Sequence, residues 1–260
     1  MPRKQRIRSN SGYYHIMLRG NEKKDIFYSD ADKLRFLETM YEKKQGNRFF
    51  LHAFCLMNNH IHLMLSEGIE DVSRVMKRIT VSYVHHFNKK YKRVGHLFQD
   101  RFRSEVVDQE SYILSLVRYI HQNPVKAGIV EKPSDYRWSS YNCYLDENNY
   151  FAKMLDIDVV LGLFSEDRKA AVKKFEEYMN EDSAESFLDL MEEEEVMDEE
   201  AASELFEKML REHGIESNKV KMQLPDNLIK EFRSKTNLPI RKIAAITGIN
   251  KDKVNKILKR

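Results

Sequence analysis

The stretch Met57-Asn58-Asn59-His60-Ile61-His62-Leu63-Met64-Leu65 constrains this chain more than any other. Side chains alternate across a strand, so His60 and His62 project from one face while Ile61 and Leu63 project from the other. Asn58-Asn59 is a turn signal, and the apolar, aromatic-rich run 49–57 precedes it. The pattern predicts a hairpin with strands over about 49–57 and 60–66. Its second strand opens with two imidazoles placed to share a metal ion.

The residues around the hairpin read as alternating strands and helices. Tyr13 to Leu18 is a short apolar strand ended by Arg19-Gly20-Asn21. Ser29-Asp30 caps a helix to about Gln45, with Leu34, Leu37, Met40 and Tyr41 on one face. Asp71 to Lys90 repeats Val72, Val75, Met76, Ile79 and Tyr83 at helical spacing. Leu97 to Val107 alternates enough for a strand, and Gln109 to about Asn123 is helical with Ile113, Leu116 and Ile120 as its buried stripe. This order is the split βαβ pattern of a ferredoxin-like (RRM-like) α+β domain, an antiparallel sheet with helices on one face. After residue 150 the strand signals stop and an all-α region follows.

Charge divides the chain in the same places. Residues 1–150 hold 25 basic and 17 acidic side chains, a net +8; residues 151–220 hold 8 and 21, a net −13; residues 221–260 hold 11 and 3, again +8. The basic ends suit a phosphate backbone. The acidic middle, with Glu192-Glu193-Glu194-Glu195, reads as a linker or a solvated helical subdomain. Three regions are therefore expected: 1–150, 151–220 and 221–260. No apolar run approaches the roughly 20 residues needed to span a bilayer. No secretory signal follows the basic N-terminus, and Cys55 and Cys143 have no metal or redox spacing, so a reduced cytoplasmic setting with buried thiols is expected.

Two helical segments carry further chemistry. In Arg118-Tyr119-Ile120-His121-Gln122-Asn123-Pro124, Tyr119 and Asn123 are one turn apart and share a face, and Pro124 is expected to end the helix. An amide there is a fitting third ligand for a hard cation, with a tyrosine beside it. A phenol, whose proton ordinarily leaves near pH 10, needs activation before it can attack phosphorus. A divalent cation on His60 and His62 would polarise the phosphate. Gln122 lies one residue off that face, and His121 reads more readily as a surface residue than as a ligand. Near the C-terminus, two short helices flank Thr247-Gly248-Ile249-Asn250, a helix-turn-helix pattern with Lys251, Lys253, Asn255 and Lys256 outward.

Taken together, these residues resemble the HUH single-strand endonucleases and, more narrowly, the insertion-sequence-200-like transposases with one catalytic tyrosine, the REP-associated tyrosine transposases among them. The resemblance covers about residues 8–145. It rests on Met17-Leu18-Arg19-Gly20-Asn21, the His60/His62 stretch, Gly95-His96-Leu97-Phe98-Gln99-Asp100-Arg101-Phe102, the Tyr119 helix through Gly128, and Tyr136-Arg137-Trp138-Ser139-Ser140-Tyr141. It implies a bacterial, nucleoid-working enzyme that cleaves single-stranded DNA near a hairpin with Mg²⁺ or Mn²⁺. Tyr119 would be the nucleophile forming a 5′-phosphotyrosine, with His60, His62 and Asn123 as metal ligands. Relatives occur as monomers and as homodimers. The C-terminal helix-turn-helix is an addition that would hold duplex DNA.

Candidate DNA contacts are Arg6 and Arg8 of a basic N-terminal arm, Arg19, Lys92 and Arg93 of a tight loop, and Arg101 and Arg103 alternating along the last strand. On the tail they are Lys251, Lys253, Asn255 and Lys256. The competing reading is a catalytically idle sequence-specific DNA-binding regulator. It predicts no nicking of any hairpin and no effect of His60→Ala on DNA affinity. A hydrolase of RNA on the same sheet is a third reading, which the tyrosine disfavours.

Overall fold

The computed structural model describes residues 8–181, 197–213, 215, 224–236 and 238–259. The packing divides the chain into two units, Met1–Phe187 and Leu188–Arg260. Arg6 and Glu192–Glu195 lie outside the described residues. Among the described residues no helix is long and apolar enough to cross a membrane.

The first unit is built on β1 (Tyr13–Arg19), α1 (Asp30–Lys44), β2 (Phe49–Leu56), β3 (His60–Glu67), α2 (Val72–Lys90) and β4 (Arg103–Val106). The strands form one antiparallel sheet in the order β2-β3-β1-β4, which is the expected ferredoxin-like arrangement. In β1, Tyr14, Ile16 and Leu18 are buried on one face, as are Ile61, Leu63 and Leu65 of β3. α1 and α2 pack together, with Phe36 meeting Phe27 and Tyr83 edge-on and Phe27 tilted against Tyr83. The opposite face, which carries the histidines, receives α3 (Glu110–Lys126), a helix added after the βαββαβ unit.

Two sequence expectations change at this level. The last strand is short: residues 97–102 leave the β-ladder after a single bridge between Gly20 and Phe98, so Arg101 precedes β4 rather than sharing a strand face with Arg103. The second concerns Pro124, which does not stop α3. It sits in the last turn, where its missing N–H removes only one helical bond. Termination comes from Gly128, left-handed at φ +65°, with Gly128 N–H donating to Val125 O at 2.9 Å and Ile129 N–H to Pro124 O at 3.0 Å.

The expected boundaries at 150 and 220 are not those of the packing. Residues 136–156 cover the edge of β2: Leu56 N–H donates to Trp138 O, Ser140 N–H to Phe54 O and Asp156 N–H to Leu51 O. Trp138 and Tyr141 of this segment are both buried. α4 (Tyr141–Leu145), α5 (Asp158–Gly162) and α6 (Arg168–Met179) continue the same core, where Phe175 stacks on Tyr144 at 4.4 Å. Apolar positions such as Val160, Leu161, Ala171 and Phe175 override the acidic composition of this stretch. Both cysteines are free and buried.

The second unit has its own core. α7 (Glu199–Glu212), α8 (Asp226–Thr236), α9 (Ile240–Thr247) and α10 (Lys251–Lys259) enclose Phe206, Leu210, Leu228, Phe232, Ile243 and Val254. Gly248 turns left-handed after α9 at φ +68°, and Asn250 Oδ1 accepts from Asp252 N–H at 2.8 Å to start α10. α7, expected in the acidic middle, belongs to this unit because Ala202, Phe206, Met209 and Leu210 are buried in its core.

Candidate active site

The β1–β3 register sets the floor of the site. Arg19 lies opposite His60, Met17 opposite His62, and on the other side of β1 Met17 faces Arg103 and His15 faces Glu105. Residues paired across an antiparallel ladder share a face. Arg103, His62 and His60, with Arg19 and His15, therefore surface on one side of the sheet. α3 lies over them. Its Tyr119 ring is 5.5 Å from that of His62 and 5.8 Å from that of His15, both edge-on. The tyrosine is docked on the histidine face and only 3% exposed.

Asn123, one turn beyond Tyr119, reaches both histidines. Its Oδ1 is 3.2 Å from His60 Nε2, and its Nδ2 donates to His62 Nε2 at 3.4 Å. The His60 Nδ1–H donates to Asn59 Oδ1 at 2.6 Å, and the Asn59 amide is itself oriented by donating to Lys23 O. A neutral His60 would present its Nε2 lone pair toward the Asn123 oxygen, and these two atoms could serve together as ligands to a cation. Among the described residues no group of three or more His, Cys, Asp or Glu side chains is placed to hold a metal. The donor set here is instead two imidazoles and an amide oxygen, which would leave about half the positions of an octahedral cation to other oxygens.

Burial, aided by the neighbouring His15 and His60, holds the His62 imidazole well below the usual histidine range. His62 is neutral at pH 7 and able to act as a ligand.

Three features escaped the sequence. His15, fully buried, puts its Nε2 3.1 Å from His62 Nδ1. Glu105 lies 3.5 Å from His15 Nδ1. Lys126, exposed, sets its Nζ 5.1 Å above the Tyr119 ring. A lone histidine in an apolar run carries no sequence signal, but the β1–β3 register would have found it. Lys126 lies two turns beyond Tyr119, on the same side of α3, and helical spacing could have found it.

Other expected residues go elsewhere. Gln122 points away from the histidines and donates to Met179 O at 2.6 Å. His121 is neither ligand nor surface residue: it is fully buried beside Tyr141, Tyr144 and Phe175, bonds Ser140 Oγ at 2.7 Å, and is pushed down to about 3 by burial. Arg8 is exposed. Lys92 takes a left-handed φ of 51° in the loop after α2. A groove of about 1060 Å³ between α2 and residues 93–102 is lined by Lys77, Lys89, Arg93, His96 and Arg101 over a floor of Leu97 and Phe98. On α10, Lys251, Lys253 and Lys256 are exposed and Asn255 is half-buried.

Residues 8–123 match the family model described as transposase IS200 like. The chain is 25% identical over 142 residues to a REP-associated tyrosine transposase of Escherichia coli (strain K12), covering 54% of this chain and 81% of the relative. It is 28% identical over 102 residues to a putative REP-associated tyrosine transposase of Haemophilus influenzae, covering 35% of this chain and 57% of that one. A solved structure of a REP-associated tyrosine transposase bound to a REP hairpin aligns with a TM-score of 0.48 and 22% identity, over 61% of this chain and 90% of that one. The segment that resembles the IS200-like transposases contains His60, His62, Tyr119 and Asn123.

Proposed function

We propose that this chain is a transposase that cuts single-stranded DNA beside a hairpin through Tyr119 and passes the held strand to a new end. One observation carries the reading: Tyr119 and Asn123, one turn apart on α3, lie against His60 and His62 of β3. The Tyr119 oxygen attacks the scissile phosphorus, the P–O3′ bond breaks, and the phenolic proton leaves to balance the new 3′-hydroxyl. The product is a 5′-phosphotyrosine, and attack by another 3′-hydroxyl reverses the step and joins the strands. His60, His62 and Asn123 would hold Mg²⁺ or Mn²⁺, which supplies positive charge to the phosphate when bound. Arg19 and Arg103 flank that face and hold adjacent phosphates, and Lys126 places a cation beside the phenol. The groove lined by Lys77, Lys89, Arg93 and Arg101 takes the hairpin stem.

The test is a covalent adduct. A hairpin-bearing strand labelled at its 3′ end should travel with the denatured protein on a gel when Mn²⁺ or Mg²⁺ is supplied. EDTA, His60→Ala and Tyr119→Phe should each abolish the band. A band that survives in Tyr119→Phe would move the nucleophile elsewhere, and no band with any hairpin would favour the regulator.

A further inference from the structure

We propose that His15 and Glu105 are positioning residues that fix the tautomer of His62 and aim its Nε2 lone pair into the site. The inference rests on the proposed metal-assisted cleavage for its purpose, and on separate geometry for its content. His15 is opposite Glu105 in the β1–β4 ladder, and its ring stacks on that of His62, centroids 5.4 Å apart. One of its nitrogens lies 3.5 Å from a Glu105 oxygen, at ion-pair range beyond a formed hydrogen bond, and the other 3.1 Å from His62 Nδ1. Glu105 is a quarter exposed, and its carboxylate also accepts a hydrogen bond from Tyr112, which anchors it from α3.

The direction of the chain of protons follows from the carboxylate. An ionised Glu105 accepts only, so its carboxylate at 3.5 Å favours the proton of a neutral His15 on Nδ1. The Nε2 of His15 is then an acceptor, and His62 must donate from Nδ1. That leaves His62 Nε2 unprotonated where Asn123 and the phosphate meet it. Ligand histidines are commonly held this way, with the far ring nitrogen donating to a fixed partner. Here the partner is a second, buried imidazole backed by a carboxylate. His15 is 0% exposed, so it cannot contact DNA itself and acts through His62.

Long-range ¹H–¹⁵N spectra of the full chain labelled at histidine nitrogens, without metal, read the tautomer directly. His62, assigned by its loss in His62→Gln, should be protonated on Nδ1. His15→Phe keeps the ring volume and removes the acceptor, and should move His62 to a mixed or Nε2–H state. His15→Gln restores an acceptor and should return the Nδ1–H signal. In parallel, Mn²⁺ alone, followed by electron paramagnetic resonance, should bind His15→Phe about 10- to 100-fold more weakly than wild type, with most of the loss recovered in His15→Gln. An Nε2–H tautomer in the wild-type protein, or a doubly protonated His15, overturns the proposal. Equal loss of Mn²⁺ affinity in both His15 variants also overturns it, reducing His15 to packing. A wild-type chain that binds no Mn²⁺ sinks the metal reading instead, while the spectra still decide the tautomer.

Discussion

Four side chains make the candidate site, and their spacing made them visible. Two histidines two apart must share a strand face, and a tyrosine and an asparagine four apart must share a helix face. What their spacing does not contain is which strands and helices meet, so His15 and Glu105 needed the β1–β3 and β1–β4 registers. Asn123 is the residue that joins the two halves, since its amide touches both imidazoles. Replacing it by leucine keeps the volume and removes the oxygen. Asn123→Leu should slow adduct formation on a saturating hairpin by at least about 100-fold, while Asn123→Asp, which restores an oxygen ligand, should recover most of that rate. Equal rates for Leu and wild type would remove Asn123 from the site.

Between elements, α1, α2 and the first three strands were readable because each repeats its own period over a full length. The strands at 13–19, 49–56 and 60–67 and the helices at 30–44 and 72–90 fall within two residues of expectation. The segment 151–181 was not readable, because its partners are α3 and β2, distant in sequence. That segment fastens α3, which carries Tyr119 and Asn123. Arg118 lies 4.0 Å over the Tyr178 ring, and Gln122 donates to Met179 O. Gln122→Ala should cost about 1 kcal/mol in urea unfolding and leave Mn²⁺ affinity unchanged, which separates fastening from ligation. Asp32 joins α1 to α2. Fully buried, it accepts from Lys90 Nζ at 2.6 Å, Tyr91 Oη at 2.7 Å and Tyr28 N–H at 2.9 Å. Burial alone would raise its carboxyl, but the hydrogen bonds from Lys90, Tyr91, Tyr28 and Ser29 outweigh it and hold the group below the ordinary range. A depressed carboxyl stabilises fully above its unfolded value of about 3.9 and loses that contribution as pH falls through the folded one. Asp32→Ala should cost about 2 kcal/mol at pH 7, reduced from a fully buried pair because Lys90 is a third exposed. Urea titrations should show that gap closing below about pH 4, and a gap constant with pH would refute the ion-pair account.

At the scale of the whole molecule, charge and packing assign different jobs to the two units. The first unit presents Arg19, Arg103 and Lys126 around the histidine face, whereas the bases of the second unit are spread over α7 to α10, with Lys251, Lys253 and Lys256 on the last helix. On α10 the buried stripe is Val254 and Ile257, and Lys251, Lys253 and Lys256 are exposed beside Asp252. Helices of this kind, following a tight glycine turn, suit the major groove of a duplex. Such contacts act through phosphates as well as bases, so their removal shows in the salt dependence. Replacing Lys251, Lys253 and Lys256 together by glutamate should weaken binding to duplex DNA flanking the hairpin and lower the slope of log affinity against log salt by up to about 3. Adduct formation on an isolated single-stranded hairpin should stay within about twofold, because none of the three belongs to the histidine face. If hairpin cleavage fell in step with duplex affinity, both units would serve one continuous DNA contact. The tail would then be part of hairpin recognition rather than a separate hold on the neighbouring duplex.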